Sequence, residues 1–167
     1  MSLREVLVFP DPRLRLTAKP IEKITPDIQT LLNDMGETMY AERGIGLAAI
    51  QINVQLRAIV IDVSENKDLL YQMANPEILH TEGSQDVKAG CLSVPEIYES
   101  VPYPAKLKVK YWDIHGETKE LEAEGLFAAC IQHEVDHLNG KLFIDYLSSL
   151  KRIRIEKKLK KMKNMRL

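Results

Sequence analysis

The chain has 167 residues, with 23 basic against 24 acidic side chains and a net charge of −1. That balance argues against a general affinity for nucleic acid; an apolar content of 45% excludes a disordered chain; two cysteines, Cys91 and Cys130, are too few for a multi-bridge secreted scaffold. One domain with one core is expected from the length, no apolar run reaches the roughly 20 residues of a spanning helix, and residues 1–12 do not read as a secretory signal. The expectation is a soluble, intracellular protein.

In chain order, residues 14–22 read as a connector. Thr25 as N-cap and Pro26 at the first helical position then open a helix, with Ile28, Leu31, Leu32, Met35 and Met39 at helical spacing and Gly44 as its stop. Gly44-Ile45-Gly46-Leu47-Ala48-Ala49-Ile50-Gln51 follows as a loop whose small residues imply that something approaches the backbone closely. No strand precedes it and no Lys-Ser pair follows, so it is not a phosphate-binding loop. Residues 56–63, 71–80, 107–113 and 118–123 are strand candidates, the last two joined by the hairpin-like turn Ile114-His115-Gly116-Glu117. Pro95, Pro102 and Pro104 break the stretch after Cys91 into loop. A second helix runs from about Gly125 to the Asn139-Gly140 stop.

The charge is unevenly placed. From residue 147 onward nine basic residues (Lys151, Arg152, Arg154, Lys157, Lys158, Lys160, Lys161, Lys163 and Arg166) face one acid, Glu156, a charge of +8. Residues 1–146 carry −9. Leu150, Ile153, Ile155, Leu159 and Met162 at near-helical spacing make this end an amphipathic helix belonging to the same single unit as residues 1–146. The order of elements predicts an α+β fold: antiparallel or mixed sheets around a central helix, closed by a C-terminal helix.

The chemistry concentrates in His133-Glu134-Val135-Asp136-His137. On a helix, residues four apart share a face, so both imidazoles can reach one cation, and Glu134 can move the protons of a water bound there. The bland alternative, a solvated face with two incidental histidines, is weakened by Leu126, Ala129 and Cys130 on the same inward-looking stripe. A catalytic site of this kind wants a third protein ligand. Glu156 lies at a protease-like spacing but sits among lysines and arginines. Cys91, in Ala89-Gly90-Cys91-Leu92-Ser93, offers a thiolate suited to a borderline divalent ion, with Gly90 letting the backbone approach. The thiolate is favoured and Glu156 stays open. Cys130 reads as a wall residue, and Gln51 as a side-chain amide able to stabilise developing negative charge.

Together these segments resemble peptide deformylases. GφGφAAxQ (φ apolar) matches residues 44–51 at every position, QHEφDHLxG matches residues 132–140, and EGCφS matches from Gly90 to Ser93, with Ala89 where that family has glutamate. The resemblance implies that Cys91, His133 and His137 hold one divalent metal ion and that Glu134 is the acid/base. It implies removal of the formyl group from the N-terminal methionine of new polypeptides. Ferrous iron is the metal expected in the cell, with zinc, nickel or cobalt as alternatives on isolation. The oxyanion would be held by the metal, the Gln51 amide and the Leu92 backbone N–H. An extended peptide would bond to the Gly44–Gly46 and Val87–Ala89 backbones. Its methionine would enter a pocket of Ile45, Val87, Leu126, Ala129 and the His133 ring.

Ala89 departs from that family, whose glutamate pairs with an arginine some residues later; residues 101–104 contain no arginine, so both partners are absent together and no unpaired buried charge results. Tyr98 stands where some members carry an arginine near the bound peptide. The resemblance also implies a cytoplasmic monomer with no DNA or membrane partner, whose basic C-terminal helix contacts ribosomal RNA.

Overall fold

A computed structural model describes residues 2–165; Arg166, counted above among the basic residues of the C-terminal end, lies outside them. After a 3₁₀ turn at Pro12–Arg15, α1 (Pro26–Ala41) begins as the sequence predicts, with Thr25 Oγ1 accepting the Ile28 N–H at 3.3 Å. Its stop differs by one residue. Arg43, not Gly44, takes the left-handed conformation (φ 58°), and Gly44 N–H closes the helix on Met39 O at 2.9 Å.

The glycine-rich segment is more ordered than a loop. Gly46–Ala48 form β1, an edge strand antiparallel to β2 (Ala58–Ile61), and Ala49–Ile52 form a 3₁₀ turn. β3 (Tyr71–Glu82), β6 (Lys106–Trp112) and β7 (Thr118–Glu124) complete a five-stranded sheet in the order β1-β2-β3-β6-β7. β4 (Gln85–Cys91) and β5 (Val94–Tyr103) form a separate antiparallel pair. β5 corrects the expectation of a proline-broken loop. It has one partner strand, so the missing N–H groups of Pro95 and Pro102 interrupt no central ladder, while Val94, Ile97, Val101 and Tyr103 are buried.

The β1–β2 part of the sheet separates two helices. Along β2, Ala58 and Val60 join the apolar cluster of α1 (Leu31, Leu32, Met35, Met39), whereas Ile59 and Ile61 join that of α2 (Gly125–Leu138). This period-two alternation with both faces covered is why residues 56–63 read as continuously apolar. The far end of α2 is fastened firmly: Gly140 (φ 75°) ends it, and Leu138 O accepts from Ala18 N at 2.8 Å and Arg57 Nη1 at 3.2 Å. α3 (Ser149–Met165) packs Ile155 and Leu159 onto the body, leaves Lys157, Lys158, Lys160, Lys161 and Lys163 exposed, and is tied to β5 by Lys151 and Glu99 at 3.3 Å. The α+β expectation holds, with a central helix between sheet and strand pair. No helix among the described residues is long and apolar enough to cross a membrane.

Candidate metal centre

Three elements bring the predicted ligands together. α2 presents His133 and His137 one turn apart with ring centroids 5.0 Å from each other, and the end of β4 delivers Cys91. Cys91 is aimed by an irregularity in the β4–β5 pair. Between the partners Ala89–Glu99 and Cys91–Val94, Gly90 alone faces the four residues from Pro95 to Tyr98, and such bulges redirect the side chains beside them. Gly90 also makes room for Tyr98, because a Cβ there would lie 2.6 Å from its ring.

One donor atom from each of Cys91, His133 and His137 lies within 4.8 Å of the other two, and no other such group of three exists among the described residues. The Cys91 Sγ to His137 Nε2 distance is 3.3 Å. Glu156 is exposed on α3 and outside this group, so the alternative third ligand drops out. Burial drives every member toward its neutral form. It pushes the Cys91 thiol up to about 12, with the Glu134 charge adding to it, and lowers His133 to about 4. It holds His137 well below the ordinary histidine value and raises Glu134 well above that of a carboxyl, Asp136 adding to the latter. Among the described residues, two buried side-chain atoms lack any hydrogen-bond partner, Glu134 Oε1 and His137 Nδ1. A thiol, two imidazoles and an unpartnered carboxyl in one desolvated well fit a divalent cation, which stabilises the thiolate that desolvation opposes.

The remaining predicted residues converge on a cavity of about 500 Å³ lined by Gly44, Ile45, Gly46, Gln51, Val87, Ala89, Cys91, Leu92, Leu126, Ala129, His133 and Glu134. The close approach read from the small-residue segment is real: a Cβ on Gly46 would collide with the Glu134 carboxylate, and one on Gly44 would lie 2.9 Å from Leu92 Cδ1. Leu126 stands at the rim, 49% exposed, at the outer end of its stripe. Gln51 is fully fastened. Its Oε1 accepts the Ala48 N–H at 2.8 Å, and its Nε2 donates to Ser93 Oγ at 3.0 Å and Cys91 Sγ at 3.6 Å.

Several positions went unassigned in the sequence. Ser93 belongs to a recognised motif but had no role until its contact with Gln51. Tyr103 Oη lies 3.0 Å from His133 Nδ1; the prolines around it disguised the strand that carries it. Asp136 accepts from Gln132 Nε2 at 2.9 Å and Tyr146 Oη at 2.7 Å, and only the first contact is visible as helical spacing.

A polypeptide deformylase family model matches residues 3–153. The chain belongs to the polypeptide deformylase family. A peptide deformylase of Tolumonas auensis is 54% identical over 162 residues, which cover 97% of either chain. The peptide deformylase structure from Legionella pneumophila superposes with a TM-score of 0.93 at 48% identity, covering 98% of this chain and 97% of that one. The Ehrlichia chaffeensis enzyme in complex with actinonin gives a TM-score of 0.93 at 38% identity, covering 97% and 98%. Members are metal-dependent enzymes that remove the N-formyl group from nascent peptides, and this deformylase is a hydrolase of protein biosynthesis.

Proposed function

We propose that Cys91, His133 and His137 hold the divalent ion of this deformylase, that Glu134 is its acid/base, and that Gln51 and the Leu92 N–H stabilise the oxyanion. The observation that carries the reading is the convergence of the three donor atoms within 4.8 Å beside a buried, unpartnered Glu134 oxygen. When bound, the ion supplies Lewis acidity, lowering the pKa of a water and polarising the formyl carbonyl.

The chain's own groups do the rest. Glu134 takes a proton from the attacking water and passes it to the nitrogen of the departing amine, so formate and a free N-terminus are released. Its unpartnered Oε1 and its place in the cavity wall beside the proposed ligands support this shuttle. Gln51 and Leu92 meet the oxygen that gains negative charge as the formyl carbon becomes tetrahedral; Ala48 and Ser93 hold Gln51 by its oxygen and one amide hydrogen, and the other hydrogen, on the nitrogen 3.6 Å from Cys91 Sγ, is the one that turns to that oxygen. The formyl-methionine side chain fits between Ile45, Val87, Leu126, Ala129 and His133, while peptide backbone bonds to Gly44, Gly46 and Ala89 accept any following sequence.

Iron(II) is the proposed ion, with zinc, nickel or cobalt as substitutes, because one thiolate with two imidazoles accepts all four. The deciving measurement is formate release from formyl-Met-Ala-Ser by anaerobically iron-loaded protein. Cys91→Ser is expected to abolish metal-dependent release and tight retention of the ion; retention of both would refute the ligand set.

The proposal extends to a cytoplasmic monomer whose α3 approaches ribosomal RNA with its exposed lysines. Removing residues 157–167 is expected to weaken ribosome binding and flatten its salt dependence while sparing hydrolysis of the small peptide. Equal loss of both activities would overturn the ribosomal role.

A further inference from the structure

His133 has stacking neighbours that fix its plane but one hydrogen-bond partner that distinguishes its nitrogens. Its ring stacks on Phe143 at a centroid distance of 6.1 Å and 26°. Tyr103, 4% exposed, has its ring tilted 6.3 Å from that of His133 and 6.1 Å from that of Tyr146. The Tyr103 hydroxyl, 3.0 Å from His133 Nδ1, is the one polar group on that nitrogen. No carboxylate among the described residues makes a hydrogen bond to that nitrogen. We propose that Tyr103 is a positioning residue that selects the Nδ1–H form of His133 and thereby aims its Nε2 lone pair at the metal.

A neutral imidazole that ligates through Nε2 must carry its proton on Nδ1, so in the loaded enzyme Nδ1 donates and the Tyr103 oxygen accepts. Without the ion the proton can sit on Nε2, and then the same hydroxyl donates to Nδ1. A phenol serves both states because its oxygen both gives and takes a hydrogen bond, which a carboxylate cannot do at neutral pH. A tyrosine hydroxyl ordinarily titrates at about 10, so at neutral pH it is a neutral group. The hydroxyl, on a residue that lines the same cavity, therefore acts through His133. Its strand, β5, is joined to β4 by the short turn at Leu92 and Ser93 that follows Cys91, so one hairpin supplies a ligand and the support of another ligand.

This inference deepens the proposed ligand set and rests on it. The test compares the unchanged chain with Tyr103→Phe, which keeps the ring packing, and with Tyr111→Phe as a control on the distant β6. Cobalt(II) affinity is measured by competition with a chelator, following the visible absorption of the bound ion. Tyr103→Phe is expected to bind cobalt about 10- to 100-fold more weakly and to lose kcat with little change in KM, while Tyr111→Phe matches the unchanged chain. In the zinc-loaded unchanged chain, the His133 Nδ1 proton is expected to exchange slowly and to show a cross-peak to the Tyr103 ring by NMR. That measurement stands even if the variant folds poorly. Equal cobalt affinity in the unchanged chain and Tyr103→Phe, or an Nδ1 proton that exchanges freely in the unchanged chain, overturns the role of Tyr103. Failure of the unchanged chain to bind one cobalt ion overturns instead the ligand set beneath it.

Discussion

Two of the four carboxylates buried among the described residues behave in opposite ways. Asp62, fully buried just beyond β2, is saturated with donors: the Ser64 N–H at 2.8 Å, the Leu69 N–H at 3.2 Å and the hydroxyls of Ser64 and Tyr40. Glu134, 5% exposed on α2, has an oxygen with no partner. Burial pushes both toward protonation. At Asp62 the hydrogen bonds from Ser64, Tyr40 and Leu69 outweigh it and hold the group below the usual carboxylate range, whereas at Glu134 the charge of Asp136 adds to it. What separates a structural carboxylate from a reactive one is therefore the number of donors aimed at it, not the depth at which it lies.

The contrast is broken most severely at Glu134. Glu134→Gln keeps the shape but cannot carry a proton, and is expected to lower kcat for formate release by roughly 10²- to 10⁴-fold. Its urea midpoint should equal or exceed that of the unchanged chain, because no hydrogen bond to Oε1 is lost. A variant that kept most of its turnover would remove Glu134 from the proton path. Asp62→Asn should give the reverse pattern, losing about 1–3 kcal/mol of stability as buried donors lose their acceptor, with kcat nearly intact. The pH dependence has a definite sign. The folded Asp62 lies below the unfolded carboxyl value of about 3.9, so its contribution is complete above that value and is lost as pH falls through the lower folded one. The difference in urea midpoint between Asp62→Asn and the unchanged chain should accordingly shrink from pH 6 to pH 3; a gap that widened would contradict the network.

The same distinction explains what could be read from the sequence. Helix α2 and its ligands were legible because the His133–His137 spacing, the Gly140 stop and the inward stripe all follow one helical period. Asp136 was visible as part of that motif, yet Tyr146, ten residues on, reaches it only through the turn at Phe143–Tyr146. Strand β5 was misread because proline lowers strand propensity, and a strand paired on one side alone escapes that rule. The glycine-rich segment announced a close approach without saying to what, since Gly46 and Glu134 are 88 residues apart in sequence and meet only after β1 and α2 pack. Local periodicity carried the two histidines, thiol chemistry pointed to Cys91, and the groups that bond to these side chains, Tyr103 on β5 and Gln51 on the 3₁₀ turn, left no periodic trace.

Ser93 offers the gentlest test of that last point. It is fully buried, and its hydroxyl accepts one hydrogen of the Gln51 amide, while the amide oxygen is held by Ala48. Ser93→Ala removes a single neutral hydrogen bond of about 0.5–1.5 kcal/mol and leaves the amide nitrogen only its 3.6 Å contact with Cys91 Sγ. The expected result is a fall in kcat of a few-fold with KM and metal content unchanged, because the proposed donor must be reoriented in each turnover but neither the pocket walls nor the ligands move. A Ser93→Ala enzyme with unaltered kcat would mean that Gln51 is aimed by Ala48 alone, and a loss of metal would mean that Ser93 acts on Cys91 and not on the amide.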